Sequence, residues 1–173
     1  MNVVLFGYRG SGKTTLGMAL AAKLGMAFAD ADQEVVRRFG GRTIAEVWER
    51  YGEAKFRAVE LEVAVELVGR RNLVLALGGG TVMQPAARTA VENAVDTVRI
   101  YLYCQPRELH RRIVGDPGSA AARPSLTPWG GGIDEVTAVL AQRDPVYRAV
   151  AQHILDVTNL SPAQALAALA ALV

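Results

Sequence analysis

Short apolar runs alternate with stretches of helical period along this chain. Val3–Phe6, Ala27–Ala29, Leu73–Leu77, Val98–Tyr103 and His153–Leu155 are nearly unbroken apolar runs of strand length. Between them, about Thr14–Leu24, Asp32–Phe39, Ile44–Arg50, Glu53–Val68, Arg107–Val114, Asp134–Arg143 and Pro162–Leu172 repeat apolar residues at three- and four-residue spacing. Strands that lack polar alternation are buried on both faces. The sequence therefore predicts an α/β fold with a parallel sheet covered by helices on each side. No internal repeat or low-complexity segment interrupts it. The 173 residues are enough for one domain with its own core, and residues 1–173 are read as that single domain.

Composition narrows the partners. A net charge of +2 is too small to argue for nucleic acid, and no basic stripe with interleaved aromatics is present. The only lysines are Lys13, Lys23 and Lys55, so the positive charge is mostly arginine. Arginine's planar fork suits carboxylates and phosphates, which points to small anionic ligands; a GC-rich genome would give the same bias. Cys104 is the single cysteine, excludes an intrachain disulfide and is expected in the core. No signal-peptide pattern opens the sequence, so a cytoplasmic location is expected; a monomer is expected as well. Val157–Val173 carries no charge, but its polar residues and many alanines make a poor membrane span. Ser161 can cap a helix with Pro162 at its first position, and Leu166, Leu169 and Val173 then share a face, as in a docked terminal helix.

The strongest chemical signal is Gly7-Tyr8-Arg9-Gly10-Ser11-Gly12-Lys13-Thr14, a complete phosphate-binding loop, GxxxxGK[ST], between a predicted strand and a predicted helix. Glycines let the backbone curl until several N–H groups face one anion, and the helix adds its positive end. Lys13 would reach the β- and γ-phosphates of ATP and Thr14 would ligate Mg²⁺; Gly7, Gly10, Ser11, Gly12 and Thr15 complete the cradle. Such a loop needs a carboxylate near the metal. The strand at Leu73–Leu77 ends in Gly78-Gly79-Gly80 and the strand at Val98–Tyr103 ends in Cys104, neither of them acidic. Asp30 and Asp32, at i and i+2 after the second strand, are the best candidates, with Asp156 expected near the nucleotide base. Asp32 could alternatively be a helix N-cap. The three glycines suggest a close backbone approach with free N–H donors, or a plain tight turn. Arg57 could be a surface ion pair with Glu53 or Glu60. Gly115–Gly132 carries Arg123, the lone Trp129 and a run of three glycines; it is a surface loop or a lid that closes over phosphates.

In order along the chain, GYRGSGKTT, the DAD at Asp30–Asp32, GRTIAEVWERYGEAKFR ending at Arg57, LALGGGTV, Arg123-Pro124 and RDPVYRAVA resemble shikimate kinases over almost the full length. The resemblance implies a three-layer α/β/α fold of the P-loop NTPase, nucleoside-monophosphate-kinase-like type. It has a five-stranded parallel sheet, a substrate-binding region at about 31–62 and a mobile lid at about 112–128. It implies transfer of the ATP γ-phosphoryl group to the 3-hydroxyl of shikimate with Mg²⁺. Asp32 matches the acid assigned as base, and Asp30 its partner near the metal. Arg57 and Arg148 match the pair that holds the shikimate carboxylate, aided by Gly78, Gly79 and Gly80. Arg123 matches the lid arginine at the transferring phosphate, and Arg112, Asn159 and Pro162 the surroundings of adenine. Ser125-Leu126-Thr127, Trp129 and the glycine run depart from the family's lid. Another small-molecule kinase of the same fold, such as a gluconate kinase, is the alternative.

Overall fold

The structure, a computed structural model, describes residues 1–116, 125–126 and 130–173. Five parallel strands, β1 (Asn2–Phe6), β2 (Ala27–Asp30), β3 (Leu73–Ala76), β4 (Thr97–Tyr103) and β5 (His153–Asp156), form one sheet in the order β2-β3-β1-β4-β5. Asn2 stands opposite both Leu73 and Thr97, Ala27 opposite Leu73, and Ile100 opposite His153. Every residue of β1 and β3 is buried, as the apolar runs Val3–Phe6 and Leu73–Ala76 require. Because all strands run one way, Gly7, Asp30, Gly78, Cys104 and Asp156 lie at one edge of the sheet, where ligands bind in such folds.

Among the described residues the helices are α1 (Lys13–Leu24), α2 (Ala31–Arg38), α3 (Ile44–Val68), α4 (Pro85–Glu92), α5 (Pro106–Val114), α6 (Ile133–Val150) and α7 (Pro162–Ala170). A turn of 3₁₀ helix, Thr81–Met83, joins the triple glycine to α4. α1 packs on β2, β3 and α7, whereas α4 and α5 pack on α6, which also meets β4. Sequence pattern and structure agree on the strands and on most helices, with three differences. The segments Ile44–Arg50 and Glu53–Val68 are one helix bent at Gly52, whose φ of 80° breaks the helical path. α4 was not expected: only Ala87 and Val91 anchor it to the core, too few positions to declare a period. α6 was expected to stop at Arg143 before Pro145, yet it continues to Val150. Proline removes one helical hydrogen bond, and here buried Tyr147 and Val150 hold the last turns against the core.

Caps fix the helix starts. Thr43 and Glu46 form a reciprocal capping box on α3, and Ser161 with Gln164 does the same on α7, with Pro162 at its first position as expected. Buried rings join sheet to α6: Tyr101 stacks on Phe6 at 6.2 Å, Tyr147 sits 4.9 Å from Tyr101, and the Tyr101 hydroxyl donates to Asp144 at 2.9 Å. No helix among the described residues is long and apolar enough to cross a membrane.

Candidate active site

The phosphate-binding loop hangs from β1. Gly7 has φ 146°, and a Cβ there would lie 2.6 Å from the Leu102 carbonyl oxygen on the neighbouring strand, so no side chain fits. Lys13 Nζ donates to the Gly7 and Tyr8 carbonyls, each at 2.9 Å, and so arches over the loop it serves. Loop and α1 form the floor of a large cavity, with about 1680 Å³ of empty space, lined by Gly10 to Thr15, Asp30, Asp32, Arg112, Asn159 and Pro162. The structure thus brings together most of the residues expected to bind the nucleotide. Arg112 is held there by Glu108 at 2.7 Å and by its donation to the Val157 carbonyl at 3.0 Å. Arg111 and then Arg112 pull the Glu108 carboxyl down to about 2.

Asp30 settles the competition over capping. Its Oδ1 accepts the backbone N–H groups of Asp32 and Gln33, which makes it the N-cap of α2, and its Oδ2 accepts the Thr14 hydroxyl at 2.6 Å. Asp32 is therefore not the cap; it sits in the first turn of α2 and lines both this cavity and a second one.

The second cavity has about 520 Å³ of empty space and is walled by Asp32, Arg57, Gly79, Gly80 and Arg143, with Tyr8, Ile44, Trp48, Phe56 and Leu126 as its apolar sides. Arg57 makes both ion pairs that the sequence offered, with Glu60 and Glu53, but from a half-buried position in the cavity wall rather than on the open surface. It donates to Glu60 at 2.7 Å and Glu53 at 3.3 Å and lies over the rings of Trp48 and Phe56. Burial opposes its charge, but Glu60 and Glu53 outweigh burial and hold its pKa above the ordinary arginine value. Glu60 is 2% exposed and accepts from Arg57, Thr81 at 2.9 Å and Gln84 at 2.8 Å. The triple glycine is a close approach: a Cβ on Gly78 would lie 2.5 Å from Asp32 Oδ1 and 2.9 Å from Glu60 Oε1. Tyr147 donates to the Gly79 carbonyl at 2.5 Å and is pushed up to about 12 by burial.

Arg148 is a correction. It is half exposed, donates to Asp144 at 2.6 Å, lies over Tyr103 and lines neither cavity. Arg143, five residues earlier, lies over the Tyr8 ring and faces the second cavity beside Gly79. Because α6 runs through Pro145, five residues turn a side chain by about 140° from its starting direction. Only one of the two arginines can then face the sheet edge. Arg123 and Trp129 lie outside the described residues. Tyr8, Arg9, Trp48 and Arg143 were not singled out from the sequence; aromatic residues at helical spacing read as core, and Arg143 read as the end of a helix.

A profile of the shikimate kinase family matches residues 9–172. The chain belongs to the shikimate kinase family. A shikimate kinase of Acinetobacter baylyi is 42% identical over 167 residues, 96% of this chain and 87% of that protein. The solved shikimate kinase of Acinetobacter baumannii in complex with shikimate is 36% identical, covers 96% of this chain and 88% of its own, and superposes with a TM-score of 0.85. A gluconokinase of Sinorhizobium meliloti, at 20% identity and a TM-score of 0.57, shares the fold alone. Membership of the shikimate kinase family makes this chain an ATP-dependent kinase of P-loop fold.

Proposed function

We propose that this protein transfers the γ-phosphoryl group of ATP to the 3-hydroxyl of shikimate. One observation carries the proposal: Asp32 lines both cavities, while Arg57 and Arg143 converge in the smaller one. A carboxylate-bearing ring alcohol clamped by two guanidinium groups would present a hydroxyl to Asp32, next to the phosphate loop. Arg148, expected from the sequence to share that clamp, is replaced in it by Arg143.

The chemistry follows from these placements. Phosphoryl transfer asks a protein chiefly for alignment and for neutralisation of charge on the γ-oxygens. Lys13 supplies a cation at the loop, and the family resemblance assigns Arg123 a second one. Asp32 aligns the hydroxyl and accepts its proton as the new P–O bond forms. Bidentate capture of the carboxylate by Arg57 and Arg143, with the N–H groups of Gly79 and Gly80, spends remote binding energy on orientation. The Thr14 hydroxyl and the Asp30 carboxylate, already paired at 2.6 Å with Asp32 nearby, form an oxygen donor set that suits Mg²⁺, which takes few protein ligands and otherwise phosphate and water. The ion would offset charge on the β- and γ-phosphates. The catalytic unit proposed is a monomer in the cytoplasm, as expected from the sequence.

The test is product identification. Purified protein with ATP and Mg²⁺ should convert shikimate to a monophosphate with equimolar ADP, and should turn over gluconate or shikimate methyl ester far more slowly. Preference for gluconate, or equal rates with acid and ester, would contradict the proposal.

A further inference from the structure

Arg9 occupies the third position of the phosphate-binding loop, a position that the GxxxxGK[ST] pattern leaves open. The Ser11 N–H donates to the Tyr8 carbonyl at 3.2 Å, so Arg9 stands at the tip of a tight turn rather than along a strand. Among the described residues, Arg9 and Asp32 are the two that line both cavities. They therefore mark the passage between nucleotide and acceptor. The backbone is equally close: a Cβ on Gly79 would lie 3.7 Å from the Arg9 nitrogen.

Charge gives the position its meaning. Three arginines, Arg9, Arg57 and Arg143, line the acceptor cavity with two carboxylates, Asp32 and Glu60. Glu60 is taken up by Arg57, Thr81 and Gln84. Arg9 and Arg143 bring two positive charges to the wall of this cavity and Asp32 one negative charge. Tyr8 senses that field: burial raises its hydroxyl pKa, while Arg143 and Arg9 pull it back. Glu135, whose Oε2 accepts the Leu126 N–H at 3.1 Å, adds one negative charge to the same surroundings.

We propose that Arg9 is a further phosphoryl-contacting residue, a loop cation that follows the transferring group from the nucleotide cavity into the acceptor cavity. This rests on the shikimate-phosphorylating function proposed above. Lys13 is tied to the loop carbonyls on the nucleotide side, so Arg9 supplies positive charge where the phosphoryl group is farthest from that lysine. A donor that strengthens only as charge develops acts on turnover more than on ground-state binding.

The experiment compares R9M and R9K with the wild-type protein. R9M should lose about 10- to 100-fold in kcat, less than removal of a sole stabilising cation because Lys13 remains. Its affinity for the non-hydrolysable analogue AMP-PNP, by calorimetry, should stay within about threefold, and R9K should recover most of the loss. Inhibition by ADP with aluminium fluoride in the presence of shikimate, a mimic of the transferring group, should weaken in R9M by at least the factor lost in kcat. Wild-type kcat in R9M would overturn the assignment. So would parallel losses of AMP-PNP affinity and kcat, which would make Arg9 a mere support of the loop. Failure of the wild-type protein itself to phosphorylate shikimate would instead sink the underlying function, and the paired assays separate the two.

Discussion

Arg143 and Arg148 differ by five positions and by opposite fates: one faces the acceptor cavity and the other is an exposed partner of Asp144. Their variants should separate as cleanly. R143M should lower kcat/KM for shikimate by about 100-fold, because it removes a charge-assisted pair with the carboxylate. R148M should stay within about threefold, since a solvent-exposed ion pair contributes little. Steady-state kinetics on both decides it; a larger defect in R148M would restore the assignment made from the sequence. Asp32 offers a second test. D32N should bind AMP-PNP within a few-fold of wild type yet lose about 10²- to 10⁴-fold in kcat, a range set by loss of a proton acceptor and hydroxyl guide. Near-normal turnover would strip Asp32 of that role.

Among the elements, the Gly78–Gly80 turn and α6 do the positioning. In G78A the added Cβ collides with the movable ends of Asp32 and Glu60, not with backbone. The cost should therefore fall on chemistry: at least a tenfold loss of kcat (~1.4 kcal/mol) with a melting temperature changed by only a few degrees. A collapsed melting temperature with proportionate loss of activity would show a structural role alone. Helix α5 yields a pH prediction. Hydrogen bonds from Arg111 and Arg112 hold the Glu108 carboxyl at about 2, below the roughly 4.3 of an unfolded chain. A lowered folded value means that this cluster stabilises the protein above about pH 4.3, and that its contribution fades as pH falls from there toward 2. Glu34, held at about 2 by Arg37 and then Arg38, behaves the same way. The clusters are solvent-exposed in part, so the effect is small. Thermal melts of E108Q and wild type should differ near neutrality and converge as pH falls to about 2; a gap that stays constant with pH would contradict it.

Across the chain, legibility in the sequence followed how local each signal is. The phosphate loop, the strands and the Ser161 cap depend on neighbours a few residues away, and residue types alone declare them. α4 was hidden because two apolar anchors do not make a period, and the reach of α6 because burial of Tyr147 outweighs a proline. Arg143 escaped for the same reason: which face an arginine takes depends on where its helix ends. Trp48 and Ile44 resemble core positions, and Glu60 resembles an ordinary surface partner of Arg57, until the fold curls α3 around the cavity they line. Two cavities that meet at Asp32 are a property of the assembled sheet edge, and their contents can be seen directly. A crystal structure of the protein with AMP-PNP, Mg²⁺ and shikimate should show the carboxylate between Arg57 and Arg143, and the 3-hydroxyl beside Asp32, facing the γ-phosphate. Shikimate bound with its carboxylate on Arg148, or with another hydroxyl toward the phosphate, would contradict the assignment.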